Sequence, residues 1–249
     1  MNRHFLRPRA FFASCALSLL AVASATQVHA AGGAFAVDDS EVGKPGECKV
    51  ESWVAFADNK DFIGTTSPAC VANLGRPVEL GLQVQRVRSG EEWGTSLMLK
   101  AKTTIIPLEG NRFGLGISAS TGFDLLTGDN IGGAVNIPLT FEVTEQFKIN
   151  LNAGWLHESG DDLNWFTWGA GFEWNFVKPF TLIAEVFGQV GDLPPAAASS
   201  VREPRMQAGL RYTPVDNIDI DLIYGRNITG ENAHWITLAT IFRFSLKDK

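Results

Sequence analysis

Hydrophobic and polar residues alternate along most of this chain with a period of two. In "FKINLNAGW" (147–155), Phe147, Ile149, Leu151, Ala153 and Trp155 share one parity, while Lys148, Asn150 and Asn152 share the other. Successive side chains of a strand point to opposite sides, so the segment has one apolar face and one wet one. The pattern returns in "VELGLQV" (78–84), "FGLGISASTGFDL" (113–125), "VNIPLTFEV" (135–143), "FTWGAGFEWNF" (166–176), "MQAGLRY" (206–212) and "IDIDLIY" (218–224). Nothing of comparable length has a helical period. The chain is all β.

Turn signals such as "RSGEE", "LEGN", "LTGDN", "ESGDD", "VKP" and "TPVDN" separate the runs. They predict about twelve strands (range about 10–14): 49–57, 65–73, 76–88, 93–106, 112–126, 132–144, 147–158, 164–176, 180–191, 201–213, 218–228 and 233–244. Most reach the roughly 9–11 residues that a tilted membrane strand needs. The even connections are tight. The odd ones include the two longest, "DNKDFIGT" and "GDLPPAAASS". Short turns at one end and longer loops at the other mark a bacterial outer-membrane barrel.

Alternation alone does not say whether the apolar face meets a second sheet or lipid. Three features favour lipid. Trp93, Trp155, Trp168, Trp174, Phe176, Phe180, Tyr212, Tyr224, Phe242 and Phe244 share the apolar parity and mostly lie near strand ends, as interfacial girdles do. The polar parity carries Gly, Ser, Asn and charges that match when hairpins are folded: Lys100 opposite Glu79, Lys148 opposite Glu142, Arg211 near Asp219. Finally, "WITLATIFRF" puts Ile236, Leu238, Thr240, Phe242 and Phe244 on one face. It resembles the C-terminal recognition strand read by the barrel-assembly machinery, although "SLKDK" follows it. The expectation is one antiparallel up-and-down transmembrane barrel over 48–244, with a short tail at 245–249.

The first thirty residues read differently. Arg3, Arg7 and Arg9 precede a short apolar run, and "VHA" ends it, which is the layout of a secretory signal peptide. Its removal leaves 18 basic and 27 acidic residues, a net charge of −9, which disfavours nucleic acid. Cys48 and Cys70 remain. In an exported chain they read as a disulfide, the alternative being two buried thiols. Residues 31–47 lack alternation and are expected to form a flexible periplasmic segment or a small plug.

Catalytic chemistry finds little support. The mature chain has two histidines, His157 and His234, near strand ends, and no serine of matching parity and depth beside them. An outer-membrane lipid-modifying enzyme is a weak alternative, and no zinc spacing or cofactor motif is present. The outer loops are acidic: Asp58, Asp61, Glu91, Glu92, Asp129, Glu158, Asp161, Asp162, Asp192 and Glu231. They suit a solvated rim or cation-bridged contact with lipopolysaccharide phosphates.

"GECKVESWVAFADN", "SPACVANLGRPVELGLQ", "WGAGFEWNFVKP" and "AGLRYTPVDNIDIDLIYGRNITGEN" resemble proteobacterial outer-membrane proteins. These are distantly similar to the putative MetA-pathway of phenol degradation family, whose members are thought to be outer-membrane channels or transporters. The resemblance implies a Gram-negative outer-membrane location but no catalytic residue and no solute. The main expectation is a narrow channel for small solutes, with Glu173, Glu185, Arg205, Arg211, Asp219 and Asp221 as selectivity candidates in the lumen. Folding about "VKP" sets Glu173 opposite Glu185, with Arg205 or Arg211 as their basic neighbour. The rival is a closed structural or adhesive barrel.

Overall fold

A computed structural model describes residues 34–109, 112–160, 162–191, 204–229 and 232–246. The expected signal peptide, the end of the expected tail, and Asp161, Asp192 and Glu231 lie outside the described residues.

Twelve strands follow in order: β1 (Glu47–Ala57), β2 (Phe62–Asn73), β3 (Pro77–Ser89), β4 (Glu92–Ile106), β5 (Phe113–Asp124), β6 (Asn130–Thr144), β7 (Phe147–Glu158), β8 (Leu163–Val177), β9 (Phe180–Gly191), β10 (Arg205–Val215), β11 (Ile218–Asn227) and β12 (His234–Ser245). Each pairs antiparallel with its sequence neighbours. β1 closes on β12 over the full span from Glu47↔Ser245 to Ala57↔Trp235. Closure leaves no edge strand, so every ladder position finds a partner within the barrel.

Burial is inverted relative to a soluble sandwich. Leu222 and Leu238 face outwards at 56% and 52% exposure, while their chain neighbours Asp221 and Ala239 are 0% and 5% exposed. Leu80, Leu82, Ile137, Ile236 and Phe242 are likewise exposed, whereas Thr140, Asn150, Glu173 and Asp219 are buried. The apolar parity looks out and the polar parity looks in. An aqueous solvent would not stabilise that arrangement, because it exposes the residues that burial would favour.

Five hairpins contain a register shift, and four of these sit beside the tight connections: Thr104/Ile106, Glu142/Thr144, Trp174/Val177 and Tyr212/Val215. Each inserts residues into one strand and changes which side chains meet further along. Cys48 and Cys70 are cross-strand partners on the outward face of β1 and β2, and they are bonded (S–S 2.09 Å).

Residues 34–46 do not hang free below the barrel. They run inside it, from mid-lumen to the short-turn end, where the chain enters β1. Phe35, Val37, Asp39 and Ser40 are all buried. Of the two expectations for this segment, the described part follows the plug and not the flexible periplasmic segment, because wall side chains satisfy its backbone inside the bore.

Candidate permeation path

The strap is held by hydrogen bonds to inward side chains of β6, β7, β9 and β10. Glu185 on β9 accepts the N–H of Ala36 (2.6 Å) with one oxygen and that of Val37 (3.0 Å) with the other. Asn152 on β7 accepts from Asp38 N–H (2.8 Å) and donates to Asp38 C=O (2.6 Å). Thr140 on β6 accepts from Ser40 N–H (2.9 Å), and Gln207 on β10 donates to Ala34 C=O (3.2 Å). A strap crossing a lumen has no sheet ladder, so these side chains take the place of one.

Glycines make room for it. A Cβ built on Gly169 would lie 2.8 Å from Val37 Cγ2, one on Gly116 would lie 2.9 Å from Ser40 O, and one on Gly209 would lie 3.1 Å from Phe35 Cζ. Phe35 fits against Ile183 and Ile223 there, in a small apolar spot of the bore. The inward glycines that punctuate β5, β8 and β10 thus form a groove shaped to the strap.

Lumenal charges fall into two groups. In the first, wall pairs with wall. Arg211 meets Asp221 at 2.8 Å and Asp219 at 3.7 Å, Arg243 meets Asp219 at 2.6 Å, and Lys49 meets Glu51 and Glu79 at 3.1 and 3.2 Å. In the second, wall pairs with strap. Lys102 on β4 lies 2.8 Å from both Asp38 and Asp39, and Lys148 on β7 lies 3.3 Å from Glu41.

Several expected pairings differ. Glu79 stands opposite Lys102, while Lys100 stands opposite Gly81 and donates to Gln83 at 3.3 Å. The two-residue offset arises because the β3–β4 turn is centred at Gly90–Glu91, later than the expected Glu79–Lys100 pairing requires. Glu142 is opposite Lys148 in register, as expected, but it is exposed at the mouth and the lysine's ion pair goes to Glu41. Glu173 faces Ile183 and Glu185 faces Gly171, so the two carboxylates are diagonal rather than opposed. The turn centre at Val177↔Phe180 accounts for one position of this offset and the bulge after Trp174 for the other. Glu185's neighbour on β10 is Gln207, which donates to it at 2.7 Å, whereas Arg205 stands opposite Phe187 near the long-loop end. Arg211 is directly opposite Asp221, with Asp219 alongside.

Two cavities follow the strap. A vestibule of about 1720 Å³ opens at the short-turn end, with Glu41, Glu142, Lys148 and Arg243 among its lining residues. A smaller cavity of about 240 Å³ lies between the strap and the β1–β6 wall, beside Ser67, Gly81, Lys100, Ser118 and Asn136. Both are lined by Asp38, Lys49, Glu51, Ala69, Glu79 and Lys102. The junction between them is therefore a ring of paired charges.

Outside, Trp174, Phe176, Phe180, Tyr212, Phe242 and Phe244 lie towards the short-turn end, and Trp93, Trp155 and Tyr224 towards the other. Trp168 sits deeper on β8, opposite Ala153 and Gly188. His157 stacks on Trp155 and hydrogen-bonds Asn164, while His234 meets Tyr224 and Asn232. No hydrolytic arrangement is built from these contacts.

Sequence reasoning placed the strap's contacts Glu185 and Lys148 in the lumen but missed Asn152, Lys102 and Gln207, and Lys49 on the wall. A signal existed: acids in "AVDDSE" and small residues at inward parity on distant strands.

The profile of a family described as "Uncharacterised conserved protein UCP029691" matches residues 19–244. Among curated proteins none matches. Similar solved structures include the "KdgM porin" (TM-score 0.60, 11% identity, covering 79% of this chain and 99% of that one). The "NanC porin" is also similar (0.61, 8%, 78% and 98%). So is the "COG4313 outer membrane channel from Pseudomonas putida F1" (0.56, 13%, 83% and 98%). At these identities the likeness establishes the fold.

Proposed function

We propose, for a chain that belongs to the UCP029691 family of uncharacterised conserved proteins, that the barrel is an outer-membrane channel for small solutes, narrowed by its own N-terminal strap. The observation that carries this reading is the vestibule whose lining continues into the side cavity past the Lys49–Glu79 and Lys102–Asp38 pairs. A lumen packed solid by side chains has no such track. The porins and the channel that share the fold support it, as does distant kinship with the putative MetA-pathway family, which we propose on the motifs quoted above. We place the protein, by the same reasoning, in the outer membrane of a Gram-negative bacterium after export by its signal peptide.

The function is non-enzymatic. Assembly proceeds through the C-terminal strand. Lipopolysaccharide is the lipid partner, and Arg86 and Arg88 support this: they sit on the outward face at the long-loop end, over the ring of Trp93 at 4.8 and 5.4 Å. Arginines so placed suit the phosphates of an outer leaflet.

The rival, a closed structural barrel, is favoured by one observation. The strap bridges the bore from Lys102 on β4 to Glu185 on β9. Planar-bilayer recording separates the two. A channel gives discrete steps smaller than those of a sixteen-stranded porin, while silence from inserted, heat-modifiable protein leaves the closed barrel.

A further inference from the structure

We propose that the strap is an internal stand-in for the solute, and that the site it covers takes a chain-like, carboxylate-bearing molecule. The inference rests on the channel reading and names the solute class for it.

The argument begins with which charges the wall leaves to the strap. Lys49, Arg211 and Arg243 are matched by wall carboxylates, so they gain nothing from a passing anion. Lys102 and Lys148 are matched by Asp38, Asp39 and Glu41 instead. If the strap leaves, two ammonium groups on β4 and β7 lose their ion pairs, at the inner end of a vestibule already open to solvent. Glu79 stands opposite Lys102, and Glu142 and Glu173 flank Lys148, so the wall keeps carboxylates in register with both lysines, and a molecule that displaces the strap restores the lost ion pairs by bringing carboxylates of its own.

Two of the strap's carboxylates are partly open to solvent. The side chains of Asp38 and Glu41 are 32% and 37% exposed, against 3% and 0% for Arg211 and Asp221. A carboxylate arriving from the vestibule can reach Lys148 and Lys102 in stages, taking over one ion pair before the next is broken. Such exchange suits a chain-like anion better than a compact one.

The remaining contacts define the rest of the molecule. Glu185, Asn152 and Thr140 accept hydrogen bonds from the N–H groups of Ala36, Val37, Asp38 and Ser40 along the bent strap. The solute should therefore carry donors, such as hydroxyl or amide N–H groups, along its length. Groove glycines limit its width to about that of an extended peptide, since a single added Cβ at Gly169 or Gly116 collides with the present occupant.

The test uses a synthetic peptide of residues 34–45 as the probe, applied to a barrel that lacks residues 31–42. In planar bilayers this barrel should conduct more than the full chain, and the peptide added from the short-turn side should block it. The same peptide with Asp38→Asn, Asp39→Asn and Glu41→Gln should block at least tenfold more weakly. Pentaglutamate should compete with the block, and pentaglutamine should not. Equal block by the two peptides would overturn the proposal and leave the channel standing, whereas a silent barrel would overturn both.

A second measurement covers the case in which the shortened chain does not fold. In the full chain carrying Asp38→Asn, Asp39→Asn and Glu41→Gln, pentaglutamate should raise the melting temperature. Adding Lys102→Gln and Lys148→Gln should abolish that shift. No shift in the triple variant, or a shift that survives loss of both lysines, would overturn the proposal whatever the conductance.

Discussion

Val37 donates its backbone N–H to Oε2 of Glu185 at 3.0 Å, joining residues 148 apart in sequence, while Oε1 of the same carboxylate takes the N–H of Ala36. One side chain thus anchors two consecutive peptide groups of the strap. Hydrogen bonds to a charged acceptor contribute about 1.5–3 kcal/mol each when buried. Replacing Glu185 with Ala should therefore shift the strap's docking equilibrium by about 3 kcal/mol, roughly 160-fold. Hydrogen exchange at residues 36–40 should accelerate by that order, with strand amides unchanged. Unaltered protection would show that Glu185 is not the anchor.

Gly169 tests the groove from the opposite side. Gly169→Val places methyl groups where Val37 now sits, and the first added carbon would already be 2.8 Å from Val37 Cγ2. A strap held by several hydrogen bonds should move before a barrel wall does, because the wall is locked by two ladders. In a Val37→Cys background, maleimide labelling should be slow while Gly169 is kept. It should be at least tenfold faster once Gly169→Val is added. Equal labelling rates would mean that the groove accommodates the larger residue without displacing its occupant.

Cys48 and Cys70 are 22 residues apart and close a loop next to the β1–β12 seam. For that separation the chain-entropy argument gives about 3 kcal/mol. Non-reducing mass spectrometry should find the mature chain two hydrogens lighter than its reduced form. Paired Cys48→Ser and Cys70→Ser changes should lower the temperature at which the barrel loses its compact electrophoretic form. Two free thiols in the native protein would contradict the bond.

Strand order and strand ends were readable because the chain announces them with a strict period of two and with turns at each reversal. β7 (147–158) and β9 (180–191) coincide with their expected bounds. Register was less readable, since a bulge shows no periodic signature. The Glu173–Glu185 misplacement follows one position from the turn centre at Val177↔Phe180 and one from the irregularity after Trp174, while Arg211 lies near Asp219 as expected, directly opposite Asp221. The strap's place was hidden for a different reason. Its contacts run to wall residues about 60 to 170 positions away and follow no period. Only the chemistry of "AVDDSE" against inward lysines and glycines could have suggested them.

Ion selectivity should be set on the β1–β6 side of the strap, where the 240 Å³ cavity lies. Lys100 lines that cavity, and its hydrogen-bond partner is the neutral Gln83 at 3.3 Å. Lys49 and Lys102, by contrast, are neutralised by carboxylates at 2.8–3.2 Å. A passing ion therefore meets Lys100 as the least compensated of these three charges. In a narrow, low-dielectric bore one such charge biases which ion enters. Lys100→Glu should shift the reversal potential towards cation preference in an asymmetric salt gradient, and Lys100→Gln should shift it about half as far. Glu185→Gln should shift selectivity less than Lys100→Glu does, because Glu185 faces the strap rather than the side cavity. The reverse result, with selectivity following Glu185 and ignoring Lys100, would place the path on the β7–β10 side of the strap.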